Sequence, residues 1–272
     1  MITPPGTVSG YPRAALPFGL FSVLALRPAG DRWEAGVQWE SITCESLGAL
    51  PGPDCQPKSG PGGQEAPVGT PLVGSADPFT VYGIFAASPT AYTPQDAEQW
   101  ALQHLYAREE AKVEELLWDG EQGNTPVLAS DDTTVITAGS DAVESLGLME
   151  DALATEYGSL GVIHMSRGTA TALFASQLLT TRGAGLFTQL GTPVVAGSGY
   201  PGTGPPDAQD ADKTGWIYGS PALFGYRSEP FFTSSVPGDL LTRGTNDLVA
   251  VVERTYVLGF DPCGVHAVLA VS

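Results

Sequence analysis

The strongest periodic signal in the chain runs from Thr93 to Gly120, TPQDAEQWALQHLYAREEAKVEELLWDG. Leu102, Tyr106, Val113 and Leu117 recur at spacings of four and seven, with Leu105 and Leu116 beside them, which makes one apolar stripe on a helix. Glu109, Glu110, Lys112 and Glu114 fall largely off that stripe. Thr93 is a good N-cap, Pro94 suits the first helical position, Asp96 sits where a capping-box acid belongs, and Gly120 is placed to end the helix in a left-handed turn. About 26 residues at 1.5 Å each give a rod of about 39 Å. That exceeds the usual three or four turns, so the helix reads as a spine against which sheets are laid.

Around the spine the pattern changes to short segments. Trp33, Ala35, Val37 and Trp39 alternate with polar residues in a half-buried strand from Trp33 to Cys44, and Phe79–Ala87 resumes strand character before the spine. Beyond it, a short β segment is expected at Thr133–Thr137. A second helix is expected over Asp141–Tyr157, with Val143, Leu146, Met149 and Leu153 on one face, then a strand at Val162–Met165. Ser166 caps a third helix extending to about Thr180, and strands follow at Thr192–Ala196, Trp216–Tyr218 and Ala222–Arg227. Asp247–Phe260 and Val265–Val271 read as a closing pair joined at the turn Asp261–Gly264. The order is α+β.

The 34 glycines and 23 prolines concentrate in 1–19, 48–78 and 197–206, so packed segments alternate with extended ones. Prolines at 4, 5, 12 and 17 exclude a helix through the start of the chain, and residues 1–30 read as an arm. Residues 46–78 read as a long loop or hairpin excursion with a role outside its own domain. Thirty acids against 12 bases give a net charge of −18, a surface that repels nucleic acid and favours solubility. No run of about 18 apolar residues exists to span a membrane, and the N-terminus lacks a signal-peptide pattern, so a cytoplasmic product is expected.

Candidate chemistry is sparse. There is no G-x-S-x-G elbow, Walker loop, HExxH or paired CxxC, and GSGYPGTG at 197–204 lacks the spacing of a nucleotide loop. His104, His164 and His266 are scattered, and His164 within VIHM reads as a packed strand residue. Cys44, Cys55 and Cys263 are too few for a four-cysteine zinc site. Free buried thiols are the default in a cytosolic product. Cys44 and Cys55, eleven apart and flanking the proline-rich loop, form the candidate disulfide. An enzyme using Cys263 beside His266 is the reading from another class.

From Phe79 to Val271 the ordered series of segments resembles the major capsid proteins of tailed bacteriophages, the Hong Kong 97 fold that encapsulin shells share. The spine ends in LLWDGEQGN (116–124); ESLGLMEDALATEYGSLGVIHMSRGTATALF (144–174) is similar to the family's helix–strand–helix unit. LGTPVVAG (190–197), GWIYGSPALFGYRSE (215–229) and NDLVAVVERTYVLGFDPCGVHAVLAVS (246–272) follow in the family's order. The resemblance implies an N-terminal arm (1–30), an E-loop region (31–78), a peripheral domain with the spine (79–132), an axial domain (133–240) and closing peripheral strands (241–272). It implies a non-enzymatic subunit without cofactor or metal. Such a subunit assembles as hexamers and pentamers into a virion capsid in the host bacterial cytoplasm. It encloses double-stranded DNA without sequence-specific binding or a membrane, alongside scaffolding, portal or decoration proteins.

Contacts to neighbouring subunits are expected at Phe18, Leu20 and Phe21 in the arm and at Trp33, Val37 and Trp39 at the loop base. Deleting residues 1–27 is accordingly expected to stop assembly while leaving the spine domain folded. The family's lysine–asparagine crosslink is not carried over to Lys58, because its partners cannot be matched. An encapsulin-like compartment is the alternative within the fold, but MITPPGTVSGYPRAALP cannot form the cargo-receiving helix with which encapsulins start.

Overall fold

The computed structural model describes residues 16–27, 32–41, 44, 71–88, 90–233, 241–242 and 247–271. Cys55, Lys58 and the prolines at 4, 5 and 12 lie outside the described residues, as does most of the loop expected over 46–78.

In chain order, the first elements are β1 (Ala25–Leu26), β2 (Val37–Ser41), β3 (Leu72–Ala76), β4 (Pro78–Ala87) and the spine α1 (Pro94–Asp119). After the spine come β5 (Thr134–Val135), α2 (Ala142–Ala152), β6 (Val162–Ser166), α3 (Arg167–Ala175), β7 (Leu179–Arg182), β8 (Gly185–Thr188) and β9 (Pro193–Gly197). The chain then forms β10 (Trp216–Ser220), β11 (Leu223–Arg227), β12 (Phe231–Phe232), β13 (Leu241–Thr242), β14 (Asp247–Phe260) and β15 (His266–Leu269).

Local chemistry sets the helix ends. Thr93 accepts the Asp96 N–H at 3.2 Å while the Asp96 carboxylate accepts the Thr93 N–H at 3.0 Å, a complete capping box. Gly120 closes the spine at φ 70°. Asp141 caps α2 through the Val143 and Glu144 N–H groups, and Ser166 caps α3 through Thr169. α3 stops at Ala175 rather than near Thr180, because Gln177 turns left-handed and Leu179–Arg182 pairs with β8 as a hairpin that helical periodicity did not signal.

The strands form two large sheets. In the first, β14 pairs antiparallel with β4 over ten registered positions and carries β11, β12 and β13 along its other edge; β1 extends this edge by pairing parallel with β11. The second has the order β5-β15-β10-β6-β9-β8-β7. β14 and β15 therefore lie in different sheets. The closing-pair expectation is corrected: the turn after Phe260 hands the chain across instead of folding it back, and β15 pairs with β10.

α1 joins the two. Ala97, Ala101 and Leu105, four apart, bury against the first sheet, where Gly83 lets the helix backbone approach; a Cβ there would stand 2.5 Å from the Ala101 carbonyl oxygen. At the other end Trp118 packs on Tyr200 and Tyr218, ring centroids 5.0 and 4.5 Å away, beside the second sheet. α2 and α3 supply Leu146, Met149 and Leu173 to the core on the second sheet's other face. The stripe read from the sequence is rotated in part. Tyr106 is 55% exposed, whereas Glu109 and Glu114 are buried.

Candidate functional site

The polar groups that the fold buries converge on the second half of α1. The Glu114 Oε1 accepts the Leu20 N–H at 3.0 Å and its Oε2 accepts the Gly199 N–H at 2.8 Å. Glu110 Oε1 accepts the Phe21 N–H at 2.9 Å. Leu20–Ser22 is a single 3₁₀ turn, and the first N–H groups of any helical turn lack internal acceptors; the two carboxylates supply them. Arg167 completes the strap by donating to the carbonyls of Pro17 and Ala196 at 2.9 and 3.2 Å, while the Ala196 N–H donates to Phe18. Burial pushes the Glu110 pKa up, opposed by the Phe21 N–H and reinforced by Glu114 and Glu109.

Beside this strap, Arg254 Nη1 donates to Glu109 Oε1 at 2.6 Å, and the Tyr256 hydroxyl donates to the same oxygen. Tyr106 lies over the Arg254 guanidinium at 5.4 Å, which explains why this apolar-stripe residue faces out. Fully buried His164 bridges β6 to its surroundings. Ser220 donates its hydroxyl to the Pro221 carbonyl and therefore accepts from His164 Nε2 at 2.9 Å. That leaves Nδ1 to accept from the Tyr200 hydroxyl at 3.0 Å. Burial pushes the His164 pKa down to about 3, so the ring is neutral. His164, Glu109 and Glu114 thus hold elements together. The reading of His164 as a packed strand residue agrees with this environment.

The six expected contact residues pack against their own chain. Leu20 is 0% and Trp33 6% exposed, closed into the chain's own cores. Phe18, Phe21, Val37 and Trp39 are half-buried against the same cores. Arm anchoring is legible only in part from sequence: the apolar run at 18–26 marks an anchored segment, but not that its anchor is the spine of the same molecule.

The disulfide expectation is also corrected. Cys44 is bonded to Cys263, 219 residues away and 5.1 Å apart between Cα atoms, not to Cys55. The fold brings the turn after β14 beside the end of β2, which no spacing along the chain encodes. Oxidised in this bond, Cys263 is no thiolate, and His266 Nε2 faces Glu156 Oε2 at 3.3 Å. An open depression of about 610 Å³ lined by Glu34, Phe79, Gln122, Ser228, Phe231 and others pairs no nucleophile with a base. No helix among the described residues is long and apolar enough to cross a membrane.

The spine bridging two sheets, the bent-back arm segment and the projecting β2–β3 pair define an α+β capsid-type fold of the Hong Kong 97 kind. No protein-family model and no curated protein matches the sequence. Among solved structures, the capsid of a native GTA particle is similar over 100% of this chain and 96% of that one, with TM-score 0.58 and 11% identity. Gordonia phage Cozz matches with TM-score 0.55 and 12% identity over 98% of this chain and 91% of that one. The holo-SrpI encapsulin complex from Synechococcus elongatus matches with TM-score 0.54 and 9% identity, over 98% and 93%.

Proposed function

We propose that this chain is a shell subunit, the major capsid protein of a tailed bacteriophage, which self-assembles through hexamers and pentamers into an icosahedral capsid around double-stranded DNA. The observation that carries the reading is the likeness along the whole chain to capsid subunits, with nearly the full length of both chains matched. Within it, α1 with the first sheet serves as the peripheral domain and the second sheet with α2 and α3 as the axial domain, β15 included. β2 and β3 form the base of the E-loop. A single copy leaves Tyr82, Val73, Phe174, Leu160 and Leu190 between 50% and 80% exposed, on β4, β3, α3 and the connections before β6 and β9. Large apolar side chains left in water on a monomer are what assembly would cover. These, rather than Leu20 and Trp33, are the contact candidates. Many modest interfaces of this kind add up in a closed shell, and a net charge of −18 keeps the inner wall from adhering to packaged DNA. The role is structural rather than enzymatic, in the virion, with scaffolding, portal or decoration proteins as further partners.

The likeness to an encapsulin keeps a compartment shell as the second reading. Electron microscopy of the purified protein separates them. Closed shells without protein cargo are expected; shells that co-purify a folded cargo protein favour the compartment. A chain that stays monomeric at high concentration and moderate salt refutes both.

A further inference from the structure

We propose that Cys44–Cys263 is a redox-controlled clamp that decides whether the β2–β3 hairpin is locked onto the body of the subunit or free to pivot about its root. β2 and β3 pair only with each other among the described residues, so no sheet hydrogen bonds tie them to the rest. Their root is anchored. Trp33 stacks on Tyr226 at 5.9 Å, and the Asp77 N–H donates to the Thr125 carbonyl at 2.9 Å. Gly36, at φ 100°, provides a backbone joint there. Midway, Trp39 presents an edge to Phe224 at 4.9 Å.

The far end, where Ser41 is 8% exposed, carries a covalent tie as well. Cys44 follows the last residue of β2 by three positions and is bonded to the turn where the chain passes from the first sheet to the second. Both cysteines are only half-buried, within reach of small reagents. In the clamped state the Trp39 indole N–H is buried with no acceptor, and an unmatched buried donor favours the open arrangement once the covalent tie is gone.

Closure is a thiol–disulfide exchange with a low-molecular-weight disulfide. One protein thiolate attacks that disulfide and expels a thiolate, and the second protein thiolate then displaces the other half. The two protein thiols lose two electrons and two protons, and the oxidant leaves as two thiols.

The test uses the full-length chain with Cys55→Ser, so that Cys44 and Cys263 are the only thiols. Oxidation with glutathione disulfide is expected to lower the mass by two hydrogens and to link the two peptides in a non-reducing digest. Reduction with dithiothreitol is then expected to speed amide exchange in 37–41 and 72–76 by about tenfold or more, leaving 97–117 and 248–258 unchanged. The double variant with Cys263→Ser is expected to exchange like the reduced protein under both conditions. Equal hairpin exchange in the two redox states overturns the clamp. So does failure to form the bond, or a rise in exchange shared by the spine.

Discussion

Acidification should weaken this subunit through one imidazole, His164, and the size of the effect follows from its surroundings. The ring is fully buried, accepts from Tyr200 and donates to Ser220, and its pKa is depressed from 6.5 to about 3 by loss of hydration. An unfolded chain protonates this ring at about 6.5; the folded chain does not. The unfolded state therefore binds more protons between pH 6.5 and 3. The stabilisation is complete above 6.5 and is lost as pH falls through that window. Each unit corresponds to about 1.4 kcal/mol, so pH 5 removes about 2 kcal/mol and pH 3, where the folded ring is itself half protonated, about 4.

Urea denaturation of the full-length chain and of His164→Gln at pH 7.5 and pH 5 isolates the contribution, since other titrating groups are common to both. Glutamine keeps a donor and an acceptor but cannot charge. At pH 7.5 the variant is expected to be less stable by about 1–3 kcal/mol through imperfect packing and bonding. Its further loss on going to pH 5 should be smaller than the parent's by about 2 kcal/mol. Equal losses in parent and variant would show that His164 is not held neutral, and the reasoning from its burial would fail.

Glu114→Ala strands the Leu20 and Gly199 N–H groups and should cost about 2–4 kcal/mol in urea midpoint experiments, with Glu114→Gln milder; a neutral alanine variant would contradict the strap. Gly199→Ala places a Cβ 1.8 Å from the Ala111 carbonyl oxygen of the spine, and a loss of about 3 kcal/mol or more is expected from backbone displacement. Removing residues 1–27 deletes Leu20 and Leu24 from the core. It should therefore lower the thermal midpoint of the spine domain itself, and calorimetry of the truncation beside the parent decides. Tyr82→Asp is expected to leave the monomer's circular dichroism unchanged while reducing shell yield in electron micrographs, and undiminished yield would remove the first sheet's outer face from the contacts.

Much of the fold was legible because it is written in neighbours along the chain. Thr93, Asp96 and Gly120 sit within a turn of the helix ends they define, and β14 was read to its observed bounds because alternation needs only adjacent residues. The candidate site was legible only in fragments. Glu110 and Glu114 read only as residues off the apolar stripe because their partners, the Phe21 and Leu20 amides, lie 89 and 94 residues away.

Taken alone, the amino-acid sequence determined where the spine begins and ends, the bounds of the long strand Asp247–Phe260, and the order that resembles a capsid subunit. Tertiary structure alone decided that Cys44 meets Cys263, that the last two strands part into different sheets, and that the Leu20 and Phe21 amides are held by the spine of their own chain. The physical reason is reach. Caps and periodicity depend on contacts within a few residues, whereas a disulfide partner or a buried carboxylate's donor is fixed only when distant surfaces compete for the same face.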